Sequence, residues 1–255
     1  MKVPSDNAQR ISYLSRVLDL AQIVAAGPEE GLRLSELASQ AGAPISTVLR
    51  LVRLLEDRGL ALRLPDKRIV PGPALVKLGL RSLRRLPAER FRDAVQSLVE
   101  LTGESVSVGL VVGAEVTLID RRESKHPLRY VASVGDVIPP HRSAMGQAIL
   151  SHLSGTRRVE LVLAAVGAEA TAVLAALEPE LAEAARSGLG RDEEAFAVGL
   201  RCIAAPVLGA DGEAMGAISI SGPSARFTRE LADEFAPALL AQTRQLSELP
   251  AVLVA

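Results

Sequence analysis

Residues 34–70, LSELASQAGAPISTVLRLVRLLEDRGLALRLPDKRIV, decide the fold. Ser35 opens a short segment with apolar residues at helical spacing, which stops at Gly42. A turn, Gly42-Ala43-Pro44, leads into a second helical run from Ile45 to Arg58, closed by Gly59. Strand-like residues with basic side chains follow from Leu60 to Val70, interrupted by the turn Pro65-Asp66. A short helix, a tight turn, a second helix and a basic hairpin make a winged helix-turn-helix, whose second helix fits the major groove of duplex DNA.

The faces of that second helix agree. At about 100° per residue, Ile45, Val48, Val52 and Leu55 fall on one side and are expected to bury. Ser46, Arg50 and Arg53 fall on the other, with Thr47 at its edge. Hydroxyls and guanidiniums early in a helix suit base edges and phosphate oxygens. A solvated amphipathic helix would show the same face; the preceding helix and the following hairpin favour DNA. The candidate DNA-contacting residues are Ser35, Ser46, Thr47, Arg50 and Arg53, with Arg63, Lys67 and Arg68 from the hairpin.

Working outward, the chain has 255 residues, room for one large domain or two ordinary ones. At 48% hydrophobic and 23% charged it can fill real cores. Aromatics make up only 2%, with no Trp, so those cores are aliphatic and stacking on single-stranded bases is not expected. One Cys excludes an internal disulfide framework and fits a reducing cytoplasm. No signal-peptide pattern is present, and no uncharged stretch reaches membrane-spanning length. The net charge of −1 hides an asymmetry: 14 Lys and Arg against 8 Asp and Glu up to Arg85, then 15 against 22. A basic N-terminal part on DNA and an acidic C-terminal part in solvent would produce this; so would chance segregation of charge.

Ahead of the motif, Ile11, Leu14, Val17, Leu18, Ala21 and Val24 recur at helical spacing from about Gln9, and Gly27-Pro28 ends that helix. After it, Pro71-Gly72-Pro73 breaks the chain and residues 74–85 read as a linker helix with a basic end. The expected division is a winged helix-turn-helix over 1–72, a linker helix over 73–86, and a second domain over 87–255. That second domain opens with a helix, Ala88 to Thr102. Strands are expected at Ser105 to Val112, Glu115 to Arg121 and Leu128 to Ser133, then a helix from about Ser143 and helical residues 156–187. Strands Gly199 to Leu208 and Glu213 to Ser221 flank the hairpin turn Ala210-Asp211-Gly212. A helix over residues 227–249 closes the chain. The fold class is α+β, an antiparallel sheet covered by helices, joined to the winged helix.

Four tracts carry a family resemblance: Ser46-Thr47-Val48-Leu49-Arg50-Leu51; Gly103-Glu104-Ser105-Val106; Pro140-His141-Arg142-Ser143-Ala144-Met145-Gly146-Gln147-Ala148; and Asp192-Glu193-Glu194 followed by Gly199-Leu200-Arg201-Cys202-Ile203-Ala204-Ala205-Pro206-Val207. In this order the chain resembles IclR-family transcriptional regulators over nearly its whole length. The resemblance implies a GAF-like C-terminal domain binding a small metabolite, often an organic acid, and assembly as a homodimer or homotetramer on a pseudo-palindromic DNA operator, as a repressor or an activator. It implies no cofactor. Carried over residue by residue, the effector pocket would use Ala144, Met145, Asp192, Leu200, Cys202, Ser219 and Ser221.

Those residue types make chemical sense. Backbone N–H groups at a helix start near Ala144 hold carboxylates well. Ser219 and Ser221, two apart on a strand, face one side, and Asp192 can accept from a ligand hydroxyl. Blander roles exist for each: serines satisfied by backbone, a thiol as a small buried hydrophobe, an aspartate capping a turn. The chain also departs from the family pattern. Gln147 stands where a lysine is usual, Met145 where a small residue is usual, and Ile69-Val70 where an aromatic-containing signature follows the wing. The first two bear on the identity of the effector; none touches the fold.

Two other functions compete. His141, Asp192 and Cys202 are the residue types of a Cys-dependent enzyme acting on a small acid, but no catalytic motif surrounds them and no catalytic residue is assigned. Three His and one Cys without ligand spacing offer no metal site. A sensory dimer working through protein–protein contacts without DNA is the other rival.

Overall fold

The computed structural model describes residues 6–83 and 88–248. Contacts within the chain divide into two units, 1–85 and 86–255. The side chain of Ile11, the last residues of the linker helix and the boundary at 86 fall outside what is described, as does Leu249.

In the first unit, α1 (Asp6–Ala25) leads to α2 (Leu34–Gln40), α3 (Ile45–Asp57), the hairpin β1 (Ala61–Arg63) and β2 (Ile69–Pro71), and α4 (Pro73–Leu83). The α2 helix starts one residue earlier than Ser35: Arg33 is its cap residue, and the backbone N–H of Arg33 donates to Glu36 Oε2 at 2.6 Å. Leu20, Val24, Leu37, Val48, Leu51, Val52, Leu55 and Ile69 close the core. One expectation fails here. Ile45 is exposed because it opens α3 outside this cluster, and Leu51 takes a place in the core instead. Leu14 and Leu18 are also exposed. The α1 helix is apolar on two sides, and its core-facing side runs through Tyr13, Val17, Leu20 and Val24.

The second unit starts with α5 (Ala88–Thr102) and builds a six-stranded sheet from β3 (Ser105–Val112), β4 (Glu115–Arg122), β5 (Val137–Ile138), β6 (Gly190–Glu193), β7 (Leu200–Leu208) and β8 (Ala214–Pro223). The strand order is β5-β4-β3-β8-β7-β6, every neighbour antiparallel. Residues 128–133 are not a strand, although they were expected to be one. The edge of β4 is taken instead by the chain just beyond them: Gly135 N–H donates to Leu118 O, Leu118 N–H to Asp136 O, and Val137–Ile138 pair with Val116–Thr117. Alternation alone supplies no neighbour. The polar β6 shows the converse, reading as a loop until β7 offers it an edge.

Three helices, α6 (Ala144–Leu150), α7 (Gly155–Val166) and α8 (Ala170–Ser187), contribute to the core on one sheet face. On the other lie α5 and α9 (Arg229–Ser247). The expected single run 156–187 is thus two helices, broken at Gly167 with φ +62° and a 3-10 turn Gly167–Glu169. This run contains a window of mean hydropathy 1.8, long and apolar enough by composition to cross a membrane, but Glu169 falls inside it, so no uncharged stretch reaches that length. The break makes it two helices, which send Leu161, Val162, Ala170 and Leu181 into the sheet core.

The period-2 pattern of the strands explains the two faces. In β8, Ile218 and Ile220 point into the α5/α9 core, while Ala217 joins the α6–α8 side, with Ser219 and Ser221 two and four residues further along the same face. The sheet is therefore oily on one face throughout and turns polar at one end of the other.

Candidate functional site

Two places in the molecule gather functional side chains, one in each unit. On α3, Ser46, Arg50 and Arg53 are exposed and Thr47 is half-buried, while the opposite face supplies Val48, Leu51, Val52 and Leu55 to the core. The Arg50 guanidinium lies 5.3 Å from the ring centroid of Tyr13, a cation–π contact that braces it without neutralising it. Tyr13 gave no signal in sequence beyond being one of two tyrosines. Ser35 and Lys67 are exposed as well. Lys67 sits at the wing tip with φ +68°, a left-handed conformation that favours glycine.

Two hairpin arginines stand differently. Arg63 Nε donates to Glu56 Oε1 at 2.9 Å, which ties the wing to α3. Arg68 Nη1 donates to Gly31 O at 2.8 Å and its Nε approaches Asp66 Oδ2 at 3.4 Å. Both are half-buried and already committed, whereas no ion pair holds Arg50, Arg53 or Lys67 among the described residues.

In the second unit, sheet register assembles a cavity. Ser107 pairs across the ladder with Arg121 and with Ser219, Ser219 with Ala204, and Ala204 with Gly190. Two positions along, Ser105 pairs with Ser221, Ser221 with Cys202, and Cys202 with Asp192. These two rows share a face, and α6 lies over them. All seven residues singled out for an effector pocket, Ala144, Met145, Asp192, Leu200, Cys202, Ser219 and Ser221, line one cavity. Its volume is about 40 Å³. At roughly 10–15 Å³ per water, it has room for a solute of a few heavy atoms.

Arg121, Ser107 and Tyr130 also line this cavity, and the sequence reading missed them. The reason is a bulge. Val108 faces Asp120 but Gly109 faces Leu118, so Ile119 is an extra residue on β4. Val116 and Leu118 are buried in the α6–α8 core, and strict alternation would then turn Asp120 inward and Arg121 outward. The extra residue reverses that phase and buries Arg121. Its Nη1 donates to Ser107 Oγ at 2.8 Å and its Nη2 to the Tyr130 carbonyl, and its guanidinium lies 5.3 Å from the Tyr130 ring centroid. Burial lowers its pKa from the ordinary value, against the pull of Tyr130 and Glu123.

Asp192 Oδ1 accepts from the N–H groups of Ala195 at 2.8 Å and Phe196 at 3.1 Å, while Oδ2 is buried without a partner among the described residues. Burial raises its pKa, partly offset by those two amides. Burial also pushes the Cys202 thiol up to about 12, so it stays protonated at neutral pH and is no thiolate nucleophile. His141, the third residue of the enzyme reading, is not among those lining the cavity. Among the described residues, no cluster of His, Cys, Asp or Glu has the makings of a metal site.

The start of α6 has one of its N–H groups, that of Gly146, taken by a side-chain cap. Ser143 Oγ accepts from Gly146 N–H at 3.0 Å and donates to Pro139 O at 2.9 Å, so the helix carries its own cap. Gln147 has a structural use that a lysine could not serve, because its Oε1 accepts from Arg191 N–H at 3.0 Å and ties α6 to β6. Met145 fits because residue 109 is glycine; a Cβ there would collide with the Met145 sulfur.

The family description "Bacterial transcriptional regulator IclR C-terminal" matches residues 85–248, and "IclR helix-turn-helix domain" matches residues 14–65. The chain is similar to the HTH-type transcriptional regulator BhcR of Paracoccus denitrificans, 30% identical across 95% of this chain and 88% of that one. It is also similar to the transcriptional repressor IclR of Escherichia coli, 29% identical across 93% and 89%. A crystal structure of an IclR transcriptional regulator from Silicibacter sp. TM1040 superposes with a TM-score of 0.82 at 24% identity, covering 95% of this chain and all of that one, which shows a shared fold.

Proposed function

The chain belongs to the IclR family of bacterial transcriptional regulators, DNA-binding proteins with an effector-binding C-terminal domain, and from that premise we propose that it is a cytoplasmic switch whose hold on an operator is set by a small organic acid. The family is non-enzymatic, which retires the Cys-dependent enzyme. Membership likewise disposes of the sensory dimer that bypasses DNA.

The observation that carries the finer reading is the cavity on the sheet: small, bordered by the start of α6, and polar where Arg121, Asp192 and the serines meet. A cavity of that size, with a cation and hydroxyls in its wall, suits a short acid better than an aromatic or a sugar. Ala144, Met145, Asp192, Leu200, Cys202, Ser219 and Ser221 are its proposed contacts. On the DNA side, residues 46–53 enter the major groove, with Arg50 and Arg53 on base edges or phosphates, Ser35 and Lys67 on the backbone, and Arg63 and Arg68 as supports of the wing. A homodimer, or a tetramer of two such pairs, presents two heads to a pseudo-palindromic site. The exposed apolar residues Leu14 and Leu18 on α1, with Val76, Leu78 and Leu80 on α4, suit such self-association. The acid acts by binding two forms of the assembly unequally, since only differential affinity shifts an equilibrium.

The test uses fluorescently labelled DNA from upstream of the protein's own gene, titrated by anisotropy with and without acids of two to four carbons. Sequence-preferring binding whose affinity changes with one of these acids is the expected result. Acid-independent binding, or none above random DNA, would refute the reading.

A further inference from the structure

Two polar atoms in the cavity wall are left without partners, and their chemistry is complementary. Arg121 is buried, and only two of its five N–H donors are engaged, both by neutral oxygens; Nε has no partner among the described residues. The carboxylates near it are occupied elsewhere. Glu123 pairs with Arg129 at 2.7 Å, Asp120 with Arg122 at 3.4 Å, and Asp136 Oδ2 accepts from Ser133 N–H at 2.7 Å. A buried guanidinium with no anion is costly, and its planar fork matches a carboxylate. Asp192 supplies the opposite case, a buried carboxylate whose free Oδ2 lacks a donor. Among the residues lining the cavity, these are the one cation and the one acid.

We infer that the cavity recognises a solute with two heads: a carboxylate seated on Arg121 and a hydrogen-bond donor, hydroxyl or ammonium, given to Asp192 Oδ2. This deepens the organic-acid reading and rests on it. Arg121 is the specificity-determining residue for the anionic head. The ligand class is short hydroxy acids or amino acids, and plain acids, which leave Asp192 unpaired, bind less well. Ser219 and Ser221 remain as neutral partners along the same wall, and Met145 limits the length of the chain between the two heads.

The full chain is tested with four compounds sharing a three-carbon skeleton: lactate, alanine, propionate and propane-1,2-diol, and with their two- and four-carbon homologues. Calorimetry reads affinity, and anisotropy on the upstream DNA reads the regulatory response. In the parent protein, lactate or alanine should bind about ten-fold or more tighter than propionate, because the donor to a buried carboxylate is missing from the latter. The diol should bind worst. Arg121→Gln should weaken the preferred acid about thirty-fold or more, Arg121→Lys should restore part of that loss, and Asp192→Asn should erase most of the preference over propionate. The lactate-to-alanine ratio assigns the donor. A diol that binds as tightly as the acid, or an Arg121→Gln variant with parental acid affinity, overturns the inference. If Arg121→Gln does not fold, the four-compound ranking in the parent decides alone. Acids that alter DNA binding equally in parent and Arg121→Gln leave the organic-acid switch standing and sink this inference. If no compound binds or alters DNA binding, both fall.

Discussion

Arg50 and Arg53 on α3 stand in water, whereas Arg121 on β4 is walled in behind α6. All three lack a carboxylate partner among the described residues, yet the absence means different things. In solvent, an unpaired guanidinium costs little and remains available to any polyanion that approaches. In a cavity of about 40 Å³, the same group has lost hydration and has no charged partner among the described residues to replace it. The first arrangement favours long-range, salt-sensitive and sequence-tolerant attraction; the second favours short-range selection. One chain thus holds one residue type in two opposite environments, separated by burial alone.

Salt should separate the two most widely. A dimer placing Arg50, Arg53 and Lys67 of each head near phosphates should lose about a thousand-fold in DNA affinity between about 50 and 200 mM salt. Acid binding at the buried Arg121 should change far less. Similar salt slopes for both ligands would break the comparison, and calorimetry alongside anisotropy would reveal them.

A smaller effect comes from single side chains. Arg50→Ala should cost about 1–3 kcal/mol of operator binding if the guanidinium reads a base, with acid affinity unchanged. The melting temperature should fall little, since an exposed cation–π contact contributes about 0.5–1 kcal/mol. Equal loss on operator and random DNA would assign Arg50 to phosphate instead.

Lys67 sharpens the same contrast, because it holds a left-handed backbone conformation at some cost to keep a cation at the wing tip. Lys67→Gly should raise stability by about 1 kcal/mol while lowering the salt slope of DNA binding by about one per head. A variant that is no more stable, in a chemical melt, would remove the argument for strain.

The buried side predicts a dependence on pH. Burial holds the Asp192 carboxyl above its ordinary range, so the native state binds this proton more tightly than the unfolded chain. Native stability attributable to this group therefore falls as pH rises from the ordinary carboxylate range through the raised value. Asp192→Asn keeps an oxygen for the Ala195 and Phe196 amides and removes the charge. It should be more stable than the parent at about pH 8, by on the order of 1 kcal/mol, and the gap should close toward about pH 4. A gap that does not vary with pH would trace to packing rather than charge.

The first unit was legible because its determinants are local. Apolar spacing, Gly42, Pro44 and Gly59 mark its helices, and the polar face of α3 follows from 3.6-residue periodicity with Ser46, Arg50 and Arg53 outward. Even there, periodicity did not tell which of the two apolar sides of α1 meets the core. The cavity was legible in part. Ser219 and Ser221 share a face by strand parity, while the other pocket residues came from resemblance rather than from spacing.

By itself, then, the sequence determined the winged helix, the order of helices and most strands, and the polar alternation of β8, all of which depend on residues within a few positions of one another. Tertiary structure alone decided that 128–133 would stay irregular while 137–138 and 190–193 became edge strands, because a strand exists only where a neighbour accepts its hydrogen bonds. It also decided the orientation of Arg121. One unmatched residue at Ile119 reverses the pleat, and no periodic reading of β4 can show which side a bulge will turn to the cavity.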